Sequence, residues 1–129
     1  MRALVAMATL AALTAGPVYA DCSYPPPPDK LPDGNTATKD EMIAGQQAVK
    51  SYDKAINAYL ACIKLEHDGA ASKIGDKPST PEQKKALEDL NRVQIQKNNA
   101  AVDQLQSVAD RFNEQVRAYK AKHKDDPKG

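Results

Sequence analysis

Few side chains in this sequence could carry chemistry, and the two cysteines are the most informative of them. Cys22 and Cys62 are the only cysteines, so a single intramolecular disulfide is available, with intermolecular pairing or free thiols as the alternatives. The sequence has no Cys-x-x-Cys motif of the kind that redox catalysis uses, and no second pair with which to exchange. We therefore predict a structural Cys22–Cys62 disulfide, which would stabilise the fold by about 3 to 4 kcal/mol through loop closure.

Metal or haem chemistry would have to use the two histidines and a methionine. We expect His67 and His123 near helix ends, where an imidazole interacts with the last carbonyls and the helix dipole. Met42 and His123 resemble the Met and His haem ligands of exported four-helix cytochromes, but the sequence predicts two long helices instead of four. Zinc-site spacings, Gly-rich phosphate loops and Gly-x-Ser-x-Gly elbows are also missing. The predictions are no catalytic residue, no metal ligand and no cofactor.

The first twenty residues predict export. Arg2 is the single charge, residues 3–15 are apolar, and Val18, Tyr19 and Ala20 form a signal-peptidase site with small residues at its key positions. The apolar run is too short to span a membrane. We expect the mature chain to start at Asp21 in a periplasmic or secreted location, where disulfides persist.

Composition limits the partners and the core. The 129-residue chain has 18 Lys and Arg against 17 Asp and Glu, and loss of Arg2 with the signal leaves these charges balanced. A neutral chain argues against nucleic acid or an anionic membrane surface as partner, and no later segment predicts membrane insertion. With no Trp and Phe112 as the only Phe, a small domain needs a covalent link or a partner to be stable.

A proline-rich arm is predicted over residues 21–37. Residues 25–28 are consecutive prolines, which favour extended polyproline II, and the Pro-Asp-Gly-Asn segment at 32–35 favours a turn. A structural arm is the preferred interpretation, and a ligand for an aromatic PxxP-binding groove is the alternative.

Two long helices follow the arm, at about 38–67 and 81–124, in a helical region that extends to residue 126. Thr38 with Glu41 and Thr80 with Gln83 fit capping boxes, and we expect Gly69 to end the first helix before a loop at 69–79. In the first helix, apolar residues at 42, 49, 56 and 63 recur in a heptad pattern typical of coiled coils. The predicted fold class is all-α: a long antiparallel two-helix hairpin with a proline-rich extended N-terminal arm tied back by the disulfide.

A loop at 69–79 sets the predicted register of the hairpin. It places Leu90 opposite Tyr59 and Val108 opposite Met42, so the end of the second helix extends beyond the first. Phe112, Val116 and Tyr119 would then form an uncovered apolar interaction surface. The expected partners are a second copy, giving a four-helix bundle, or another envelope protein. The alternative is a monomer in which the 32–37 turn covers this surface.

Parts of the first half of the chain resemble small exported proteobacterial proteins of no assigned activity. The likeness is in CSYP at 22–25, PDGNTAT at 32–38, Glu41-Met42, and YLAC at 59–62. It implies a Gram-negative envelope setting and supports pairing of the two cysteines, but it implies no reaction and no ligand.

The leading functional hypothesis is a non-enzymatic exported protein that presents a protein-interaction surface, as an adaptor, inhibitor or chaperone-like binder. The alternative is a carrier of a small ligand, metal or haem, formed as a dimeric four-helix bundle. An enzyme would need residues from two chains to assemble a site.

Overall fold

The computed structural model describes residues 22–124, and the predicted signal peptide and the start at Asp21 lie outside this part of the chain. The described residues form two helices, α1 (Lys39–Ile74) and α2 (Pro81–Lys122), are 76% helical and contain no strand. The all-α class is therefore confirmed, as are the two helices.

Both helices begin at the capping boxes that the sequence predicts. The Glu41 N–H donates to the Thr38 hydroxyl at 3.3 Å, and the Glu41 carboxylate accepts from the Thr38 N–H at 2.6 Å. In α2 the Gln83 N–H donates to the Thr80 hydroxyl and the Gln83 side chain accepts from the Thr80 N–H, both at 3.2 Å. These reciprocal bonds satisfy N–H groups that the first helical turn leaves without partners.

The predicted end of α1 is wrong. The helix continues through Gly69 to Ile74 and is capped by Gly75, which has a φ of 102° and whose N–H donates to the Ala71 carbonyl at 3.1 Å. A glycine inside a helix costs only about 1 kcal/mol, and the sequence after Gly69 contains two alanines that favour helix. Gly75 can end α1 because glycine, which has no Cβ atom, adopts a positive φ without steric strain.

The longer α1 also changes the register of the helical hairpin. Gly45, near the start of α1, lies against Phe112 near the end of α2, and His67 hydrogen-bonds Asn91 across the helices at 2.7 Å. The predicted register would have placed Phe112 beyond the start of α1. The extra turns of α1 move the hairpin loop to residues 75–80, so α1 lies beside most of α2.

The core lies between the helices and combines aliphatic side chains with three aromatic rings. Ile56, Ala101 and Val108 are fully buried at its centre. The other buried apolar residues are Met42, Tyr52, Tyr59, Ile63 and Phe112. Most of the α1 members belong to the predicted heptad stripe, so the sequence pattern located this core face correctly.

The predicted disulfide is confirmed. Cys22 and Cys62 are bonded, with Cα atoms 5.7 Å apart. The Cys22 N–H donates to the Glu66 carboxylate at 3.1 Å, and the Tyr24 ring meets the Tyr59 ring edge-on with centroids 5.0 Å apart. These contacts hold the start of the described chain against α1. Within residues 22–124, neither helix has an apolar stretch long enough to cross a lipid bilayer.

Candidate interaction surface

The predicted surface at the end of α2 is mostly covered by the chain itself. Phe112 is only 7% exposed. A Cβ atom on Gly45 would lie 2.6 Å from the Pro32 ring and 2.9 Å from Cε2 of Phe112, so these three residues are in close contact. The prediction that Phe112 is an uncovered interaction residue is wrong, because α1 and the segment before it enclose the ring.

Val116 and Tyr119 are half-buried near the turn that precedes α1. The turn closes with hydrogen bonds from the Thr36 and Ala37 N–H groups to the Asp33 carbonyl, as predicted for this segment. Gly34 in this turn sits on the α2 backbone, since its N–H donates to the Gln115 side chain at 2.9 Å. The turn therefore covers the Gln115 and Tyr119 side of this end of α2, which is the monomer alternative for this surface, and it leaves Val116 half-buried.

The two histidines are held at separate places in the fold. His67 lies between Asn91, at 2.7 Å, and Asp68, at 3.3 Å. His123 caps α2, stacks on the Tyr119 ring with centroids 4.2 Å apart, and donates from Nδ1 to the Tyr119 carbonyl at 2.9 Å. Because Asn91 and His123 are about 48 Å apart along α2, the two imidazoles cannot share a ligand within one chain.

One group of three metal-ligand side chains occurs among residues 22–124. It consists of Cys22, Cys62 and Glu66, whose ligand atoms all lie within 4.8 Å of one another. The two sulfur atoms are bonded to each other, and metal ligation requires thiolates. Glu66 accepts the Cys22 N–H and lies 3.8 Å from the Lys97 ammonium. The group therefore acts as a structural link between the arm and both helices.

Tyr52 holds the one buried side-chain oxygen or nitrogen without a hydrogen-bond partner among the described residues. Burial of the phenol, together with the neighbouring Tyr24 phenol, raises the pKa of Tyr52 to about 12. The neutral phenol is favoured because the ionised form loses its hydration in this apolar setting. Tyr52 shares a concave surface with Pro25, Pro26 and Pro28.

An open groove between the helices is the clearest candidate for binding. It has a volume of about 410 Å³. Its residues are Val49, Lys50 and Asp53 on α1 and Val102, Leu105, Gln106 and Ala109 on α2. The proline-rich segment before α1 lies on another part of that helix, where Pro25, Pro26 and Pro28 share a concave surface with Ala48, Ser51, Tyr52 and Ala55. At 100° per residue, these positions fall on the other side of α1 from Lys50 and Asp53.

A second apolar stripe on α2 passes along this groove, which its residues Val102 and Ala109 line. Ile95, Val102, Ala109 and Val116 recur every seven residues, beside the stripe that forms the core. Ile95 is 58% exposed and Val102 is 44% exposed. This stripe is not among the predicted surfaces, although its seven-residue repeat is visible in the sequence.

The groove is poor in charge, and its two charged residues are of opposite sign. Neither Lys50 nor Asp53 forms an ion pair within the described residues; Asp53 accepts a hydrogen bond from the Asn57 amide at 3.2 Å. On α2 the amides Asn98, Gln106 and Asn113 lie beside the stripe, and the Gln106 amide donates to the Asp110 carboxylate at 3.0 Å. The surface is thus apolar along its centre, with a rim that contains amides, the Lys50–Asp53 pair and the Asp110 carboxylate.

Comparisons with protein-family models, curated proteins and solved structures gave no match to this chain.

Proposed function

We propose that this chain is an exported, non-enzymatic helical protein that acts by binding a protein partner in the open groove, as an adaptor, inhibitor or chaperone-like binder. The observation that carries the proposal is the exposed stripe at Ile95 and Val102 beside a groove of about 410 Å³. An apolar surface that the chain leaves uncovered is typical of an interaction site. This groove replaces the end of α2 as the proposed surface.

The architecture inferred for this function is an antiparallel hairpin with the proline-rich arm as a third packing element. The pairs Gly45 with Phe112 and His67 with Asn91 support opposite helix directions, because one residue number rises as the other falls. The disulfide and the Tyr24–Tyr59 ring contact support an arm that runs back along α1. In this arrangement the arm fills one side of the hairpin and the groove is the other.

Export to the periplasm or medium is part of the proposal. The signal-like sequence of residues 1–20 supports it, and a disulfide is compatible with an oxidising compartment. Intact-mass spectrometry of the protein recovered from its native host tests it. A mass beginning at Asp21 with one disulfide is expected, and a cytoplasmic protein that retains residues 1–20 would contradict export.

The shape of the groove favours a helical partner. A groove between two packed helices accepts the apolar face of another helix, with anchors spaced by three, four or seven residues. The repeat at Ile95, Val102, Ala109 and Val116 provides matching positions over about 32 Å, or roughly six helical turns.

The proposal is tested by capture from the native envelope fraction with groove variants. Val102→Asp places a charge in the groove at a residue that is 44% exposed, and Leu65→Asp makes a comparable change at a residue that is 74% exposed outside it. We expect Val102→Asp to lose the bound protein while Leu65→Asp retains it, with unchanged helicity in both. Equal capture by the two variants would contradict a role for the groove.

A further inference from the structure

We propose that the groove is a two-fold interface with a second copy of this chain, in which Lys50 of each copy pairs with Asp53 of the other. This inference rests on the proposed function, since it names the partner for the same groove. It depends on three observations: the charge pair, the register between the helices, and the order of side chains along each helix.

A two-fold interface requires that each residue and its contact be exchanged by the symmetry axis. Lys50 and Asp53 are exposed, lie at the same groove, and carry opposite charges with no ion pair within the described chain. An axis perpendicular to the helices and midway between these two residues brings each lysine to the aspartate of the other copy. Two equivalent ion pairs result from one symmetry operation.

The same axis matches the apolar residues of α2. Gly45 lies against Phe112, which sets the alignment of the two helices. Counted in residues, the midpoint of Lys50 and Asp53 lies as far after Gly45 as the midpoint of Val102 and Ala109 lies before Phe112. The axis therefore passes level with both midpoints. It places Val102 opposite Ala109 of the second copy, a larger side chain against a smaller one.

The same two-fold axis also pairs other residues of the two copies. On α2, Ile95 falls opposite Val116 of the second copy and Asn98 falls opposite Asn113. On α1, Gln46 falls opposite Asn57. These pairs join apolar with apolar and amide with amide residues, whereas Leu105 falls opposite Gln106 and Val49 falls opposite Lys54. A second copy therefore matches the groove at its charge pair and along the apolar stripe of α2.

The area agrees with a reversible dimer. The stripe from Ile95 to Val116 is about 32 Å long, and two helices side by side are about 20 Å wide. Each copy would bury about 600 Å², or about 1,200 Å² in total, at the lower end of specific interfaces. The product is a four-helix bundle in which the arms lie on the two outer faces.

Charge reversal tests the pairing directly. Lys50→Asp alone places two aspartates against each other twice, and Asp53→Lys alone does the same with lysines. We expect sedimentation equilibrium to show the wild type as a dimer at high concentration and each single variant with at least tenfold weaker association. The double variant Lys50→Asp/Asp53→Lys should regain the wild-type association, because each new aspartate meets a new lysine.

Mixing the two single variants gives a stronger test. A copy with Asp at both positions and a copy with Lys at both positions are complementary, so we expect a heterodimer where each alone is a monomer. Lys77→Asp, in the exposed hairpin loop outside the groove, changes the charge by the same amount and should leave the dimer intact. Circular dichroism checks that every variant keeps its helicity.

Three results would overturn the second copy as partner. They are a monomeric wild type at about 1 mM, where an interface of about 1,200 Å² should populate the dimer; single variants that associate like the wild type; and a mixture that does not form heterodimers. A monomer that still captures an envelope protein through Val102 would end this inference while leaving the proposed function standing. If the dimer forms as expected but Val102→Asp and Leu65→Asp capture envelope proteins equally, the capture of another protein through the groove is contradicted and the second copy remains as the partner.

Discussion

Gly34 is pressed against the backbone of α2 at Gln115. A Cβ atom on Gly34 would lie 1.9 Å from the Gln115 carbonyl oxygen and 2.8 Å from the Tyr119 nitrogen, both of which are fixed within the helix. No side chain can be accommodated there without separating the turn from α2. This contact explains why the end of α2 is covered.

Replacing Gly34 with a larger residue should therefore lower the free energy of unfolding. Gly34→Ala should lower the free energy of unfolding by about 3 kcal/mol, because a methyl group overlaps backbone that cannot move aside. Gly69→Ala is the matched control, since nothing lies within 4 Å of its Cβ position inside α1. That change should raise stability by about 0.5 to 1 kcal/mol through helix propensity. Urea denaturation followed by circular dichroism measures both, and equal effects would contradict the close approach at Gly34.

Removing the buried hydroxyl of Tyr52 should not harm the fold. Tyr52→Phe keeps the ring and deletes an oxygen without a hydrogen-bond partner, so the expected change ranges from neutral to about 1 kcal/mol of added stability. A loss of more than about 1 kcal/mol in chemical denaturation would mean that the hydroxyl has a stabilising partner.

The same residue should make stability fall at alkaline pH. The pKa of Tyr52 is raised from 10.0 to about 12 in the folded state, mainly by burial. Its contribution is fully present below pH 10, and it is lost as the pH rises towards 12 because the unfolded chain ionises first. Tyr52→Phe should show a shallower decline between these limits. Identical profiles for wild type and variant would contradict this assignment.

The capping box of α1 should contribute to acid sensitivity. Hydrogen bonds from the Thr38 backbone and then from its hydroxyl hold the pKa of Glu41 below its ordinary value of 4.5. A lowered pKa contributes stability above that value, and the contribution disappears as the pH falls through the folded-state pKa. Glu41→Gln should flatten the acid limb of the stability profile. Glu88→Gln, outside the capping box, should leave that limb as it is in the wild type.

Loss of the disulfide should release the arm. Cys22→Ser/Cys62→Ser removes the bond and should reduce stability by about 2 to 5 kcal/mol, as is usual for small disulfide-linked domains. Limited proteolysis should then cut residues 22–38 faster than in the wild type, while residues of α2 keep their protection. An arm that stays equally resistant would show that the Tyr24 and Gly34 contacts hold it without the disulfide.

Local sequence signals predicted the starts of the helices well, because each start depends on a few adjacent residues. Thr38 with Glu41 and Thr80 with Gln83 complete their capping boxes without help from the rest of the fold. The end of α1 was harder, since Gly69 and Gly75 are both plausible caps and the sequence alone does not give the φ that distinguishes them. A cap at Gly69 makes α1 shorter and shifts the register of the whole hairpin.

That one error also produced the wrong interaction surface. A helix α1 that ends at 67 places Phe112 beyond the start of α1, whereas the longer helix brings Gly45 against the Phe112 ring. The disulfide was predictable because two cysteines allow one internal pair. The groove was not predictable in the same way, because its seven-residue repeat resembles the core repeat. The sequence alone does not show which side of α2 stays uncovered.

The disulfide closes one part of the chain into a covalent ring and leaves α2 outside that ring. The bond joins Cys22 to Cys62, so the arm and most of α1 form one closed ring while α2 lies entirely outside it. Helix α2 is attached to that ring covalently only through residues 63–80, and otherwise by packing and by hydrogen bonds such as that from Gly34 to Gln115. Unfolding by heat or denaturant should therefore separate α2 from the ring while the disulfide keeps the arm tied to α1, and exchange of the α2 amide hydrogens should report that separation. Two chains that open in this way could trade their second helices while each keeps its own ring.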